Sequence, residues 1–398
     1  MTLIRVRLLV SFLVISLTFC VGDAQTKEII GYYPSWKWKS VDSQMTPDKI
    51  PFDKLTIINY AFFYPLPNGR LVGRDTVGDA IILRGEASPD RKDSKSKEGL
   101  IKLAHSHGVK VLLSIGGWED SNNFSEVAGT NNGRSRFAQS CLEQIRINGF
   151  DGIDIDWEYP GYVDHRGRPE DKQNFTKLLK VVKDSLFGLG AIRKRHYLLT
   201  AALPAIGPNL ANIEMDSISL ILDALNIMTY DFNGTWDSLS GHNSPLYAPR
   251  DDDSLRNVDA SFRLYSQSFK IPTEKINLGV PFYGHSYTNC TSLYAHHSGS
   301  DNVHFSNQGM FYSNVLQHLG DCKRYWDERA KVPYLICDSW KSLMSYDDEE
   351  SVRYKAQYVI DHKARGLIIW EITGDFLPNG RTPLHDVISS TFRSMTKP

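Results

Sequence analysis

A (β/α)8 barrel is the fold class this sequence predicts, and three observations carry the prediction. Eight short apolar segments of strand character alternate along the chain with segments of helical periodicity. That alternation is the mark of a parallel sheet, and eight units fit a closed barrel. The carboxyl ends of the apolar segments carry Tyr32, Phe62, Gly116 to Trp118, Asp154 to Glu158, Met228 to Asp231, Tyr283 and Trp370. A barrel gathers its functional groups at those ends, whereas a merely structural one has no need of polar and aromatic residues there. No Gly-x-Gly-x-x-Gly turn or P-loop follows any strand, so the alternative, a doubly wound open sheet, lacks support.

The first strand is EIIGYY, Glu28 to Tyr33, and the second is LTIINYAFF, Leu55 to Phe63, rich in β-branched and aromatic residues. Pro65 to Lys97 is polar and punctuated by Gly and Pro, and reads as loop with little regular structure. Glu98 to His107 is helical, and Val109 to Ser114 is a buried strand closed by the turn Gly116-Gly117-Trp118. From Arg134 to Asn148 the apolar residues Phe137, Cys141 and Ile145 recur at helical spacing. Gly149 then stops the helix as a left-handed cap. The acidic stretch Asp151 to Pro160 supplies the fourth strand, followed by an amphipathic helix from Asp171 to Phe187 and a strand from Tyr197 to Leu203. A helix end after Leu220 leads into the strand Ala224 to Tyr230. The helix Asn257 to Ser268, the strand Ile276 to Tyr283, the helix Ser351 to Lys363, the strand Gly366 to Trp370 and the helix Pro383 to Arg393 complete the series. Ser286 to Tyr346, about sixty residues rich in Tyr, His, Ser and Asn, interrupts it after the seventh strand. A stretch of that length is a functional loop or a small subdomain.

The chain is 41% hydrophobic and 23% charged with a formal net charge of −1, so nothing basic points to nucleic acid. Arg5 and Arg7 precede an apolar run from Leu8 to Phe19, and Gly22 and Ala24 offer a cleavage point. Residues 1–24 therefore read as a signal peptide, and 25–398 as the exported, soluble chain. The run is too short to span a membrane well. Phe19 is a poor residue before a lipidated cysteine, which argues against anchoring at Cys20. No other segment is apolar enough to cross a bilayer, so no membrane partner is expected, and the chain is expected to act as a monomer. Cys141, Cys290, Cys322 and Cys337 remain after cleavage, with no zinc-site spacing. Cys322 and Cys337 are candidates for a disulfide, which export permits, while Cys141 suits a small buried position. Asn123, Asn174, Asn233 and Asn289 each begin an Asn-x-Ser/Thr sequon.

The chemistry concentrates in DGIDIDWEYP, where Asp151, Asp154, Asp156 and Glu158 fall within eight positions. In a strand, Asp154, Asp156 and Glu158 share one face at roughly 6.6 Å intervals, with Ile153, Ile155 and Trp157 on the other. Three carboxyls in a row on a half-buried strand cannot all ionise cheaply. At least one pKa rises, which keeps Glu158 protonated near neutral pH as a general acid. A hard-metal site is the rival reading. The apolar spacers and the absence of an Asp-x-Asp-x-Asp-Gly loop count against it, and no metal or organic cofactor is expected.

This stretch resembles the D-x-x-D-x-D-x-E signature of family-18 glycoside hydrolases, the chitinases, with every acidic position filled and the Trp157-Glu158-Tyr159-Pro160 ending of the chitinase branch. Ser114-Ile115-Gly116-Gly117 resembles the family's S-x-G-G motif, and Met228-Thr229-Tyr230-Asp231 its M-x-Y-D motif. Each of these is weak alone: the first is equally a turn, the second a packing pair, and Trp118 is core or a sugar platform. The resemblance runs from Ile29 to about Phe392 and implies a (β/α)8 fold with a small α+β insertion at 286–346 forming one wall of a groove. It implies hydrolysis of β-1,4 bonds between N-acetylglucosamine units of chitin or chito-oligosaccharides by substrate-assisted, retaining catalysis. Glu158 would be the proton donor, Asp156 the residue that orients the acetamido group, Asp154 its proton-sharing neighbour, and Asp151 a support for the strand end. Tyr230 and Asp231 would hold the acetamido group. Tyr32, Phe62, Gly117, Trp118, Met228, Tyr283 and Trp370 would complete the substrate groove. An endo-N-acetylglucosaminidase, a peptidoglycan-lytic relative and a non-cleaving lectin are the alternatives, the last disfavoured by the presence of Glu158. One departure stands out: Tyr283-Gly284-His285 occupies the place where the family commonly has Tyr-Gly-Arg, and an imidazole is not a guanidinium fork.

Overall fold

The computed structural model describes residues 27–39, 45–85, 98–305 and 310–394. The expected signal peptide at residues 1–24, Cys20 included, lies outside the described residues. In chain order, the first half forms β1 (Glu28–Pro34), β2 (Ile57–Pro65), β3 (Leu71–Gly73), α1 (Thr76–Arg84), α2 (Leu100–Ser106), β4 (Lys110–Gly116), α3 (Phe124–Ala128), α4 (Asn131–Asn148), β5 (Gly152–Asp156) and α5 (Asp171–Arg193). Then come β6 (Leu198–Pro204), α6 (Met215–Ile221), β7 (Ala224–Met228), α7 (Val258–Arg263) and β8 (Ile276–Pro281). A second group follows: β9 (Tyr283–Thr288), β10 (Met310–Phe311), α8 (Tyr312–Val315), β11 (Lys323–Asp327), β12 (Val332–Cys337) and β13 (Ser342–Ser345). The chain closes with α9 (Glu349–Asp361), β14 (Gly366–Trp370) and α10 (Pro383–Arg393).

Among the described residues, eight parallel strands run in the order β1-β2-β4-β5-β6-β7-β8-β14, and β14 returns to pair with β1. This is the (β/α)8 barrel. The alternation of each strand sorts its side chains. On β5, Ile153 and Ile155 face outward and join the large apolar core beneath the helices, while Asp154 and Asp156 face the barrel interior. Inside the barrel, Ile30, Ile57, Leu112, Leu198 and Ile368 form a separate apolar cluster. A polar tier of Asn59, Ser114, Asp154, Thr200, Asn226 and Asn277, all fully buried or nearly so, lies one residue pair further along the strands. Parallel register puts Ser114 and Thr200 directly beside Asp154, one on each neighbouring strand.

Helix α4 stops where the sequence predicts, because Gly149 takes φ 89° and returns its N–H to the Ile145 carbonyl. Other boundaries moved. The stretch 65–97, expected as loop, contains β3 paired antiparallel to β2, and α1, whose N-terminus is capped by the Asp75 side chain accepting from Gly78 N–H. Its Pro and Gly residues hid a nine-residue helix that this cap and the Gly85 stop delimit; residues 86–97 lie outside the described residues. The helix expected over Asn257 to Ser268 is α-helical only to Arg263 and continues as a single π turn. The strand expected over Ile276 to Tyr283 ends at Pro281, and Tyr283 opens a second sheet.

That second sheet has five antiparallel strands in the order β10-β9-β13-β12-β11. Cys322 and Cys337 are disulfide-bonded within it, while Cys141 and Cys290 are buried free thiols. Buried polar links tie it to the barrel loops: His242 Nε2 lies 3.0 Å from the Asp327 carboxylate, and Asn243 N–H donates to Ser345 Oγ at 2.8 Å.

Candidate active site

Asp154 is fully buried, yet each of its oxygens receives two donors. The Tyr32 phenol and Ser114 hydroxyl donate to Oδ2, both at 2.9 Å. The Thr200 hydroxyl and the Asn226 amide, the latter at 3.0 Å, donate to Oδ1. Asn226 is steadied in turn by the Asn277 amide at 3.0 Å. Burial raises the Asp154 pKa and the four donors oppose it. Donors from other strands thus fill the acceptor positions of Asp154, and proton sharing between Asp154 and Asp156 stays an expectation.

Asp156 pairs with Glu158, whose carboxyl lies within hydrogen-bonding reach. Burial pushes the Asp156 pKa well above the carboxylate range, reinforced by the Glu158 and Asp154 charges. Burial likewise lifts Glu158 from 4.5 to about 7, a hydrogen bond from the Tyr159 phenol opposing. Two carboxyls within reach of each other and out of water resist ionising together, so the pair favours keeping a proton. β5 ends at Asp156, so Glu158 stands beyond the last laddered residue. Trp157 keeps the alternation going by packing outward against Phe124, with ring centroids 5.2 Å apart and nearly parallel. The glycine pair of β4 gives this strand end room. Gly117, at φ 82°, donates its N–H to the Asp156 carbonyl at 2.7 Å, and a Cβ on Gly116 would sit 2.1 Å from that same oxygen.

Beyond β7, Asp231 takes a left-handed φ of 57° and its N–H is held by Asn243 Oδ1 at 2.8 Å. One oxygen of its carboxylate accepts from the Tyr283 phenol and from His285 Nε2, both at 2.7 Å. His285 thus serves Asp231 where the resemblance had led to an arginine. Burial, then the charges of Asp156 and Glu158, hold the Tyr230 pKa well above its ordinary value. Burial and Asp231 do the same for Tyr283. Both phenols therefore remain O–H donors across the physiological range.

A cavity of about 310 Å3 opens over these groups, at the lower end of small-ligand clefts, ~300–1,000 Å3. Of the residues expected around the site, Phe62, Trp118, Asp156, Glu158, Met228, Tyr230, Asp231 and Trp370 line it. Tyr32, Gly117, Tyr283 and Asp154 stand behind the lining; Tyr32 is almost wholly buried and bears on the Trp370 ring at 5.7 Å. Phe62 stacks on Trp370 with centroids 5.6 Å apart, making an apolar floor. Trp118 is 48% exposed at the cavity rim, so it is not core. Asp151 lies at the opposite end of β5, where it accepts from Val111 N–H and meets His105, each at 2.8 Å, and Arg195. Sequence reasoning missed Tyr159, Pro204, Ala205, Ile206 and Asn209, which also line the cavity, and the donors Thr200 and Asn226. The last two were legible in principle, since they sit at inward positions of the two strands after β5.

Residues 28–375 match the family described as glycosyl hydrolases family 18. The chain is 36% identical over 406 residues to chitinase A1 of Niallia circulans, covering 88% of this chain and 57% of that protein. It is 35% identical over 302 residues to chitotriosidase-1 of Mus musculus, covering 69% and 62%. The chain thus spans less than two thirds of the length of both relatives. Among solved structures, a family-18 N-acetylglucosaminidase from Paenibacillus barengoltzii superposes with a TM-score of 0.74 at 30% identity, covering 92% of this chain and 99% of that one.

Proposed function

This chain belongs to glycosyl hydrolase family 18, and from that membership we propose that it is a chitinase, cleaving β-1,4 bonds between N-acetylglucosamine units. The observation that carries the reading is the pairing of the Asp156 and Glu158 carboxyls in a cavity lined by Phe62, Trp118 and Trp370. Glu158 donates a proton to the oxygen of the leaving sugar as the C1–O bond breaks. The substrate's own acetamido carbonyl attacks C1 and forms a cyclic oxazolinium ion, the substrate-assisted exception to the two-carboxylate scheme. Asp156 accepts from the acetamido N–H and offsets the developing positive charge. Tyr230 donates to the acetamido oxygen until it attacks, and Asp231 fixes the sugar's orientation. Glu158, now a carboxylate, takes a proton from water, which adds to C1 and restores the original configuration.

The deciding experiment is turnover of a defined chito-oligosaccharide, with the anomer of the fresh product read by NMR. Release of β-anomer first is the expected result. Tight binding without turnover would turn the reading to a lectin. Partly deacetylated polymer tests the nucleophile: new reducing ends should carry the acetyl group, and frequent free glucosamine there would point to an enzyme-borne nucleophile. The likeness to the Paenibacillus N-acetylglucosaminidase favours a second reading, removal of single sugars; monosaccharide as the earliest product from a hexamer would select it. We further propose export with removal of residues 1–24, a reading supported by the Cys322–Cys337 disulfide. N-terminal sequencing of the exported chain checks it.

A further inference from the structure

We propose that His165 is a positioning residue for this reaction, holding the backbone of Glu158 and the Trp118 platform as one unit; this rests on the function proposed above. His165 ends a short 3-10 turn, Val163–His165, in the loop between β5 and α5. The turn is pinned by backbone hydrogen bonds, His165 N–H to Tyr162 at 3.1 Å and Gly167 N–H to Tyr162 at 2.8 Å. Buried Asp171 collects the loop's Gly161 and Arg168 N–H groups at 3.2 and 2.7 Å. From this fixed base, His165 Nδ1 reaches the Glu158 carbonyl oxygen at 2.5 Å. A carbonyl can only accept, so Nδ1 carries the proton in either charge state of the ring.

The contact falls where the barrel stops supporting the chain. β5 ends at Asp156, and Glu158 has no ladder partner. Its backbone is gripped instead by two side chains. Ser121 Oγ accepts the Glu158 N–H at 2.9 Å, and His165 takes the carbonyl. Ser121 also donates to the Gly117 carbonyl at 2.9 Å, which ties it to the turn that carries Trp118. The His165 ring returns to the same place, meeting Trp118 edge-on with centroids 4.6 Å apart and backed by Tyr162 at 5.1 Å. His165 does not line the cavity. It acts through Glu158 and Trp118 and so sets the offset between the acid and a sugar ring lying on the indole. A displacement near 1 Å at such an offset costs on the order of 100-fold in rate.

The imidazole's two duties separate by substitution. His165→Asn keeps an N–H at the Nδ1 position and loses the ring; His165→Phe keeps a ring and loses the donor. Both are assayed on chito-oligosaccharides for kcat and KM, with thermal unfolding to confirm that each folds. The Phe variant should keep KM and lose kcat by about tenfold or more. The Asn variant should keep kcat within about threefold and raise KM by ~2–10-fold, the range of an aromatic pair. Wild-type kinetics in both, or the same loss whichever half is kept, overturns the proposal. If one variant fails to fold, the other decides by the same split. Wild-type turnover on the same substrates keeps the two readings apart: none at all removes the enzymatic function, whereas wild-type turnover with unaltered variants removes only the role of His165.

Discussion

Replacing Glu158 by Gln should abolish turnover and, at the same time, stabilise the protein in a pH-dependent way. Gln keeps the shape but has no proton to give, and general acid–base groups contribute ~10²–10⁴-fold, so kcat should fall at least that far. The stability effect follows from the carboxyl's displaced titration. Glu158 titrates at 4.5 when free and at about 7 in the folded chain, chiefly through burial. Below the lower value both states hold the proton and nothing is lost. Between the two, the unfolded chain releases its proton while the folded chain keeps it, so stability falls as pH rises, and the full penalty applies above about 7. At ~1.4 kcal/mol for each pH unit, that penalty reaches ~3 kcal/mol. Gln carries none of it. With an unfolding entropy of ~2.1 cal/mol/K per residue, a domain of this size converts ~3 kcal/mol into ~4 °C. Thermal unfolding of both proteins at a series of pH values is the assay. The variant's advantage should be near zero at about pH 4 and widen to ~4 °C by about pH 8. An advantage that is flat with pH, or one that shrinks as pH rises, would refute the buried-acid account of Glu158 even if activity were lost.

Asp79 offers a control: burial lifts its pKa to about 7 against a hydrogen bond from Tyr60, yet it lies outside the cavity. Asp79→Asn should therefore gain stability at alkaline pH in thermal melts while keeping wild-type kcat. His285→Ala leaves Asp231 with only the Tyr283 donor. A hydrogen bond to a charged group is worth ~1.5–3 kcal/mol, so kcat/KM should drop by about tenfold or more in steady-state assays. Lys355 and Asp347 form a buried ion pair at 2.7 Å, both side chains about 1% exposed. Lys355→Met strands the carboxylate and should cost ~3–5 kcal/mol in denaturant unfolding.

What the sequence made legible depends on which physical rule governs each residue. Strand alternation is strictly local, so placing Asp154, Asp156 and Glu158 on one face and Ile153, Ile155 and Trp157 on the other needed nothing beyond the stretch itself. Gly149 is similarly local, since a single left-handed residue ends α4. Proton sharing is not local. It turns on which donors neighbouring strands bring to each carboxyl, and Asp154 is claimed by Tyr32, Ser114, Thr200 and Asn226, spread over β1, β4, β6 and β7. Strand alternation makes the inward positions of Thr200 and Asn226 legible, but the barrel register that brings all four donors to one carboxyl is not written in any local spacing. The α1 helix was missed for the opposite reason: its signal is local, an Asp75 cap and a Gly85 stop, but Pro and Gly on either side obscured it.

The same distinction explains how a site can stay intact when one of its residues changes type. His285 stands where the family resemblance led to a guanidinium, and its shorter reach and fewer donors look like a loss when read in isolation. In the folded chain Asp231 needs only one donor from that position, because the Tyr283 phenol supplies the other to the same oxygen. The His285 ring also meets the exposed Trp236 edge-on at 5.3 Å, a contact to which its aromatic edge is suited. His165 repeats the construction at Trp118, with one nitrogen on the Glu158 backbone and the ring edge on an indole. In both places a histidine joins a charged or acid-bearing residue of the reaction centre to an exposed aromatic surface further out. On the function proposed above, each histidine would thereby couple a carboxyl-bearing residue at the cavity to an exposed indole through one rigid side chain.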